Sequence, residues 1–270
     1  MTEKDFETKR GTIHYWIDMV DENNQTLAFL LGLTADHHLF DKQIEYFEGK
    51  YNVFVWDAPG HNASRPFELT FSLSDKADYL YEIMQKEKIT KPIIIGQSMG
   101  GYVGQAFMQN HTGTLKGFIS IDSAPLKRKY MTAAEIWLLK RTEPIYRPYP
   151  WEPLKRAGSK GCAETEYGRN LMRDMMEKYT KSDYCDLTCH GYRILAEAIE
   201  KELPYEIDCP ALLMCGEFDK AGSTKRYNKK WTATENLPII WIKNAGHNSN
   251  TDNPQMVNEA IEKFVEGLEL

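Results

Sequence analysis

The amino-acid sequence predicts an α/β protein with a doubly wound sheet. Short runs of consecutive apolar residues, such as Pro92 to Ile95, indicate strands that are buried on both faces of a sheet. Segments with apolar residues at helical spacing separate these runs, and Ala77, Leu80, Ile83 and Met84 are one example. Strand and helix patterns therefore alternate along the chain, which is typical of a mostly parallel sheet covered by helices on both faces.

The first third of the chain is rich in strand patterns. Phe6 to Lys9 and Thr12 to Ile17 flank Arg10-Gly11, and we expect them to pair as a hairpin. Thr26 to Leu31 and Asn52 to Val55 are two further apolar runs. These four segments supply the first strands of the predicted sheet.

Helices and strands alternate in the remainder of the predicted sheet. Ser74 is expected to cap a helix that reaches about Lys88, and another helix is expected to follow Ser98. The other predicted elements are the strands Leu115 to Ile121, Ala211 to Cys215 and Ile239 to Ile242, a helix over about Thr224 to Thr234, and a closing helix over Pro254 to Glu266. The helices between these strands are suited to parallel pairing.

The pattern changes between Ala124 and about Leu203. This stretch lacks β-branched runs, and its aromatic, Met and charged residues recur at helical spacing. We therefore interpret residues 124–203 as a helical cap that is inserted into a core domain formed by residues 1–123 and 204–270. Four prolines between Pro144 and Pro153 predict an irregular connection between two cap helices.

Composition and charge exclude several classes of protein. The chain has 270 residues, and its 33 basic and 39 acidic side chains give a net charge of −6. No run of Lys or Arg is dense enough to neutralise several phosphates, so nucleic acid is not an expected partner. The amino end is charged, and the best apolar run, Leu27 to Leu33, is far shorter than the roughly 18 residues that cross a bilayer. We expect neither a signal peptide nor a membrane anchor.

The cysteines favour reduced thiols and a cytoplasmic location. There are five, an odd number, and none form a CxxC pair. Cys185, Cys189 and His190 are close in sequence, but no second cluster completes a set of four metal ligands. We predict no metal and no cofactor. The expected partner is a small-molecule substrate, and a homodimer is left open.

The first residues that indicate chemistry are Gly96-Gln97-Ser98-Met99-Gly100, between a buried strand and a helix pattern. The pattern G-x-S-x-G also occurs by chance, but its position between strand and helix makes it specific. Such a tight turn strains the backbone of Ser98, and the two glycines remove side chains that would collide there. The N–H of Met99, at the start of the helix, is then directed at a developing oxyanion. Ser98 is therefore the candidate nucleophile.

A serine hydroxyl is a weak nucleophile and needs a base. His247 is the candidate base because it follows the strand Ile239 to Ile242 and a short loop that ends in Gly246. This position brings it to the carboxyl edge of the predicted sheet, beside Ser98.

The base in turn needs a carboxylate that fixes its tautomer. Asp219 follows the strand Ala211 to Cys215, and the order Ser98, Asp219, His247 is the chain order expected of this set of residues. Asp219 is therefore preferred, while Glu217 in the same loop and Asp122 after the preceding strand remain open as alternatives.

With these three motifs in register, the sequence resembles the α/β-hydrolase superfamily over essentially its full length. Leu31-Gly32-Leu33 is similar to the family's His-Gly segment, with Leu31 in place of His, which implies that the amides of Leu33 and Met99 form an oxyanion hole. Asp57 to Ser64 resembles the family's D-x-P-G-x-G-x-S turn, with Asn62 in place of Gly. The resemblance implies an α/β-hydrolase fold with an eight-stranded, mostly parallel sheet and an inserted helical cap.

Ser98 and Met99 separate this chain from some relatives of the fold. Haloalkane dehalogenases and epoxide hydrolases have Asp as nucleophile, and prolyl aminopeptidases usually have Trp at the next position. The leading hypothesis is a serine hydrolase, similar to carboxylesterases, that cleaves a small ester, lactone or related carbonyl compound. The alternatives are a hydrolase of carbon–carbon bonds in diketone-type substrates and a small-molecule receptor with little turnover.

A last group of residues is expected to form the wall of the substrate site. These residues belong to the loop after the third strand or are aromatic residues of the predicted cap, where bulky side chains are suited to binding an organic molecule. The predicted substrate-binding residues are Thr34, His37, His38, Tyr130, Trp137, Tyr146 and Trp151.

Overall fold

Eight strands form one sheet in the computed structural model, which describes residues 1–268. The strands are β1 Thr2–Thr8, β2 Gly11–Asp18, β3 Thr26–Leu30, β4 Asn52–Trp56, β5 Ile93–Gln97, β6 Gly117–Ile121, β7 Ala211–Gly216 and β8 Ile239–Ile242. Their order across the sheet is β1-β2-β4-β3-β5-β6-β7-β8. The β1–β2 and β2–β4 pairs are antiparallel, and the five pairs from β4–β3 to β7–β8 are parallel. The predicted fold class is therefore confirmed.

Helices cover the sheet and fill the connections between its strands. The α-helices of the described residues are α1 Asp41–Phe47, α2 Leu73–Lys86, α3 Met99–Asn110, α4 Ala133–Leu139, α5 Glu143–Tyr146, α6 Trp151–Cys162, α7 Glu166–Glu177, α8 Lys181–Lys201, α9 Thr224–Glu235, α10 Ser249–Asp252 and α11 Pro254–Glu266. Every residue of β3 to β7 is buried, which explains why those strands are mostly apolar. No helix among residues 1–268 is long and apolar enough to cross a membrane.

Two local predictions are wrong. The helix α2 is capped by Ser72 rather than Ser74, because Ser72 and Asp75 form a reciprocal capping box. The stretch from Pro144 to Pro153 is largely helical, since Pro144 lies in the first turn of α5 and Pro153 in the first turn of α6. Prolines are tolerated there because N–H groups in the first turn have no acceptor within the helix, so the N–H that proline lacks is not needed. Only residues 147–150 link the two helices.

The inserted helices, α4 to α8, lie between β6 and β7 in the chain. Threonine side chains accept hydrogen bonds from first-turn N–H groups of three of them, which defines where α4, α7 and α8 begin. Apolar residues of α6, α7 and α8 and of the turn between α7 and α8 meet in a cluster separate from the main core, made up of Leu154, Met172, Met176, Tyr179, Tyr184 and Leu187. The division of the chain into a core and a cap at residues 124–203 stays a prediction.

Lys76 is a buried lysine on α2, with a side chain only 2% exposed. Its Nζ lies 5.6 Å from the ring centroid of Phe71, and burial lowers its pKa to about 7. The imidazoles of His61 and His190 are also buried, and burial together with the charge of Lys76 lowers the pKa of each to about 3. Three basic groups are thus packed together in environments that disfavour their charged forms.

We expect Lys76→Met to stabilise the protein at pH 7. Between pH 7 and about 10 the unfolded chain keeps a proton that folded Lys76 has lost, so the free energy of unfolding of the wild type rises with pH. At pH 7 the lysine lowers stability by at least about 2 kcal/mol, since each pKa unit corresponds to about 1.4 kcal/mol. Urea unfolding at pH 7 and pH 10 measures both effects.

The control is Lys86→Met on the same helix, where the lysine is exposed. This change is expected to leave the pH dependence of the free energy of unfolding as it is in the wild type. If Lys76→Met has the same pH dependence as the wild type, Lys76 does not have the lowered pKa.

Candidate active site

Ser98 lies on the turn that joins β5 to α3. Its backbone has φ 49° and ψ −113°, a conformation that residues other than glycine rarely adopt, and its N–H donates to the carbonyl of Ile121 at 2.8 Å. A Cβ atom on Gly96 would lie 2.5 Å from backbone atoms of Gly100 and Gly101, so the close approach of strand and helix requires glycine. The predicted strained turn is therefore present.

The structure brings Ser98, His247 and Asp219 together in a chain of hydrogen bonds. The His247 Nε2 atom is 2.8 Å from Ser98 Oγ, and its Nδ1 atom is 3.0 Å from Asp219 Oδ2. The other carboxylate oxygen of Asp219 accepts from the N–H of Ala221 at 2.7 Å, which holds the side chain toward the ring. The three side chains follow β5, β8 and β7, whose carboxyl ends meet at one edge of the sheet.

Gly216 allows the loops after β7 and β8 to approach each other. A Cβ atom on this residue would lie 2.6 Å from the carbonyl oxygen of Ala245, too close for any other amino acid. Phe218 N–H donates to the same carbonyl at 2.8 Å. This contact fixes the distance between the loop that contains Asp219 and the loop that contains His247.

The neighbouring carboxylate changes the basicity of His247. Burial disfavours its protonated form, but the charge of Asp219 and its hydrogen bond outweigh burial, so the pKa of His247 is raised above its ordinary value. The imidazole is therefore better suited to accept a proton than an isolated histidine would be.

The two alternative carboxylates have other partners. Glu217 is exposed, and its Oε2 accepts from the N–H of Asn244 at 3.4 Å. Asp122 is buried and accepts from the N–H groups of Gly216 at 2.7 Å and Ser249 at 2.9 Å. Burial and the charge of Asp219 raise the pKa of Asp122 to about 7. Asp122 thus connects the loops that support the site, while Asp219 contacts the imidazole.

The predicted oxyanion donors, Leu33 and Met99, lie on either side of Ser98. Met99 is the first residue of α3, so its N–H has no acceptor within the helix. The loop that contains Leu33 passes directly beside the turn, since a Cβ atom on Gly32 would lie 3.3 Å from Ser98 Cβ. Both backbones therefore lie next to Ser98, and the oxyanion hole itself stays a prediction.

Sequence reasoning missed two residues that support this arrangement. The Gln97 side chain donates to the carbonyl of His247 at 2.8 Å and so connects the serine turn to the histidine loop. Asp252 accepts from the N–H groups of Gly246 at 2.8 Å and Glu164 at 2.9 Å, which joins that loop to the start of α7. The position of Gln97 within G-x-S-x-G was a usable signal, whereas nothing in the sequence indicated the role of Asp252.

A cavity of about 410 Å³ opens above Ser98 and His247. Two predicted wall residues line it, Thr34 from the loop after β3 and Tyr146 from α5. Most of the opposite wall comes from the inserted helices. Tyr184, Thr188 and Tyr192 of α8 line it together, because residues four apart lie on one face of a helix. That spacing was visible in the sequence and was not used.

Two predicted wall residues are histidines that lie away from the cavity. The ring of His37 stacks on Trp16 with centroids 3.7 Å apart, and its Nδ1 is 3.0 Å from Asp57 Oδ1. His38 pairs with Asp41 at 3.1 Å. Both predictions are corrected for the same reason: a carboxylate, Asp57 or Asp41, binds each ring outside the cavity.

Three predicted aromatic wall residues also lie elsewhere. Tyr130 is buried against α9, where its hydroxyl donates to Glu235 at 2.8 Å. Trp137 is 56% exposed on the surface of α4. Trp151 packs behind the wall, with its ring centroid 5.2 Å from that of Tyr184. Tyr130, Trp137 and Trp151 are therefore corrections, because their side chains point away from the cavity.

Among residues 1–268, two groups of side chains come close enough to share a metal ion, and both are engaged in other interactions. In the first, Asp36 pairs with Lys178 at 2.7 Å and His37 contacts Asp57. The second contains Cys215 with Asp122 and Asp219, whose carboxylates accept the hydrogen bonds described above. All five cysteines are free thiols. None of this chemistry favours a metal over the hydrogen bonds present.

Comparisons with known proteins agree with this fold. The sequence model of the alpha/beta hydrolase fold family matches residues 25–147. Over 262 residues the chain is 23% identical to the (E)-2-((N-methylformamido)methylene)succinate hydrolase of Acinetobacter baylyi, with 94% of each protein covered. Among solved structures, a thermophilic esterase from Thermogutta terrifontis superimposes with a TM-score of 0.75 at 19% identity, with 100% of each chain covered. The enol-lactonase from Burkholderia xenovorans LB400 gives 0.74 at 20% identity, covering 95% of this chain and 97% of that one.

The family match includes the loop after β3, the serine turn and the strands between them, and the structural matches extend over the whole sheet and the inserted helices. Relatives named as hydrolases recur among these matches. The chain thus has the α/β-hydrolase fold, and its residues 25–147 match the sequence model of that family.

Proposed function

We propose that the protein is a serine hydrolase that cleaves an ester, a lactone or a related carbonyl compound through an acyl-enzyme. The observation that carries the proposal is the chain of hydrogen bonds from Asp219 through His247 to Ser98, at the floor of a cavity. A nucleophile, a base and an orienting carboxylate in this geometry are suited to acyl transfer.

In the first half of the proposed reaction, Ser98 Oγ attacks the carbonyl carbon while His247 Nε2 accepts its proton. The carbonyl oxygen becomes an oxyanion, and the N–H groups of Leu33 and Met99 stabilise it. The tetrahedral intermediate then collapses, the bond to the leaving oxygen breaks, and His247 donates its proton to that oxygen.

In the second half, water takes the place of the alcohol. His247 accepts a proton from the water as its oxygen attacks the acyl carbon, and the same two amides stabilise the second oxyanion. Collapse of this intermediate breaks the bond to Ser98 Oγ, which receives the proton from His247. The carboxylic acid is released and the serine is restored.

The relatives support carbonyl chemistry of this kind without fixing the substrate. Their names include an esterase, an enol-lactonase and a hydrolase of a succinate derivative. Attack on a carbonyl carbon by an activated oxygen is compatible with all three, and it is the part of their chemistry that we transfer to this chain. The assignment to carboxylic ester hydrolysis, with a cap over the site, belongs to the same proposal.

Covalent labelling tests the proposed function. A fluorophosphonate is expected to label one serine in each chain, and peptide mass spectrometry is expected to place the adduct on Ser98, because only an activated serine reacts with such a reagent. Release of 4-nitrophenol from short-chain esters is then expected from the unlabelled protein and not from the labelled one. Labelling of a different serine, or no labelling with no ester hydrolysis, would contradict the proposal.

A further inference from the structure

The cavity above Ser98 has no cationic side chain other than the imidazole of His247, among its lining residues in the described part of the chain. Its polar groups are the hydroxyls of threonine and tyrosine, the amides of Gln97 and Asn248 and the thiol of Cys162. The rest of its wall is apolar, with Leu33, Leu154 and Met172 as examples. Away from His247, a negative charge on a bound molecule would find no counter-charge in this cavity.

Four titratable groups of the wall are neutral at ordinary pH. Burial raises the pKa of Tyr146, Tyr184 and Tyr192 above the usual tyrosine value, and it raises the pKa of the Cys162 thiol to about 12. Each of these groups therefore keeps its proton near pH 7.

Two carboxylates, Asp219 and Asp252, act on the wall of the cavity. Asp219 lies behind His247, and Asp252 accepts from the N–H of Gly246 at 2.8 Å. After burial, the charges of these two carboxylates are what raise the pKa of Cys162, so their field reaches the cavity wall. Arg147 is close in sequence to Tyr146 but pairs outside the cavity, with Glu143 at 2.5 Å and Asp186 at 2.6 Å.

Burying a carboxylate without a counter-charge has a high free-energy cost, and negative neighbours add to that cost. A methyl or methoxycarbonyl group of similar size has no such cost. The cavity thus distinguishes two substrate classes that share the same scissile ester, by the charge at the far end of the acyl chain.

We propose that the protein selects substrates with an uncharged acyl group and discriminates against acyl groups that carry a second, free carboxylate. The proposal rests on the proposed function, because it concerns the substrate of the same site. It names the class as neutral monoesters or lactones and excludes the monoesters of dicarboxylic acids.

Three matched esters test the proposal with the wild-type protein. The first is 4-nitrophenyl hydrogen adipate, which has a free carboxylate; the second is its methyl ester; the third is 4-nitrophenyl 6-methylheptanoate, in which an isopropyl group replaces the carboxylate. We expect kcat/KM for each neutral ester to exceed that for the hydrogen adipate by about 50-fold or more. Values within about threefold of one another, or a preference for the carboxylate, would overturn the proposal.

A pair of variants tests the electrostatic cause. Ile145 lines the mouth of the cavity and is 52% exposed, so a charged side chain can be accommodated there. We expect Ile145→Arg to raise the ratio of kcat/KM for the hydrogen adipate to kcat/KM for the isopropyl ester at least about fivefold above the ratio in the wild type. The uncharged control Ile145→Gln is expected to lack this gain. Equal effects of the two variants on the hydrogen adipate would contradict the proposed cause.

Binding separates failure of this inference from failure of the proposed function. If the wild type neither reacts with a fluorophosphonate nor hydrolyses any of the three esters, the proposed function fails. The charge preference is then decided by equilibrium binding of the same three esters to the Ser98→Ala variant, which requires no turnover. Binding of the neutral esters at least about tenfold more tightly supports the inference, and equal or tighter binding of the hydrogen adipate overturns it.

Discussion

Ser98→Ala is expected to abolish labelling by a fluorophosphonate and to lower kcat for 4-nitrophenyl esters by about a thousandfold or more. The substitution removes the oxygen that forms the acyl-enzyme, and the members of a nucleophile–base–acid triad act as a unit. The hydroxyl contacts His247 at 2.8 Å, whereas the backbone of Ser98 is fixed separately by its bond to Ile121. The fold should therefore be retained, as circular dichroism and thermal unfolding can check.

The matched control is Ser120→Ala on the adjacent strand β6. Ser120 pairs with Gly96 across the sheet, is fully buried, and its Oγ has no hydrogen-bond partner in the described structure. Its removal deletes a hydroxyl of the same kind that is not involved in the proposed chemistry, and we expect labelling and kcat close to those of the wild type. Comparable ester hydrolysis by Ser98→Ala and Ser120→Ala would exclude Ser98 as the nucleophile.

Much of the fold was predictable because its signals are local. A run such as Ile239 to Ile242 is apolar throughout, and this pattern alone predicts β8 with its observed bounds, although β8 is an edge strand and only Ile242 is buried. The closing helix, Pro254–Glu266, also begins and ends as predicted, because Pro254 at its first turn marks the start. The predicted N-cap residue of α2 was wrong by two positions. Ser72 and Ser74 differ only in whether an acidic residue three positions later completes a capping box.

The candidate site also has one part that the sequence predicts and one part that it does not. Ser98, Asp219 and His247 each follow a strand, and parallel strands deliver the residues after them to one edge, so chain order was enough to predict that the three meet. The cavity wall depends instead on how each inserted helix is rotated about its axis. Trp137 faces solvent although its helix, α4, was expected to contribute to the wall, and sequence alone does not specify that rotation.

Asp219→Asn is expected to lower kcat by about a thousandfold or more. The carboxylate accepts the Nδ1 proton of His247 at 3.0 Å, which leaves Nε2 free to take the proton of Ser98. The NH2 group of an asparagine side chain would donate to Nδ1 instead. The imidazole proton would then be on Nε2, which could no longer accept the proton of Ser98. Loss of the negative charge should also lower the pKa of His247, because burial is then no longer opposed by Asp219. The residual activity should therefore have the acidic limb of its pH–rate profile at lower pH than the wild type.

Glu217→Gln and Asp122→Asn are the discriminating controls. Glu217 is exposed and bonded to the loop backbone, so we expect its substitution to change kcat by less than about tenfold. Asp122→Asn should also change kcat by less than about tenfold, but it should lower the free energy of unfolding by about 1–3 kcal/mol. The reason is that an amide has one acceptor oxygen, whereas Asp122 accepts from both Gly216 and Ser249.

The three variants measured under identical conditions decide which carboxylate orients the base. Asp219→Asn alone should combine a large loss of kcat with a displaced pH profile, because it alone removes a group in contact with the imidazole. Asp122→Asn weakens hydrogen bonds to the same loops, but Asp122 does not contact the imidazole. Its effect on kcat therefore measures the contribution of the loops without that of the contact with His247. If Asp122→Asn or Glu217→Gln is the crippling change and Asp219→Asn is mild, the hydrogen bond between Asp219 and His247 is not what activates Ser98.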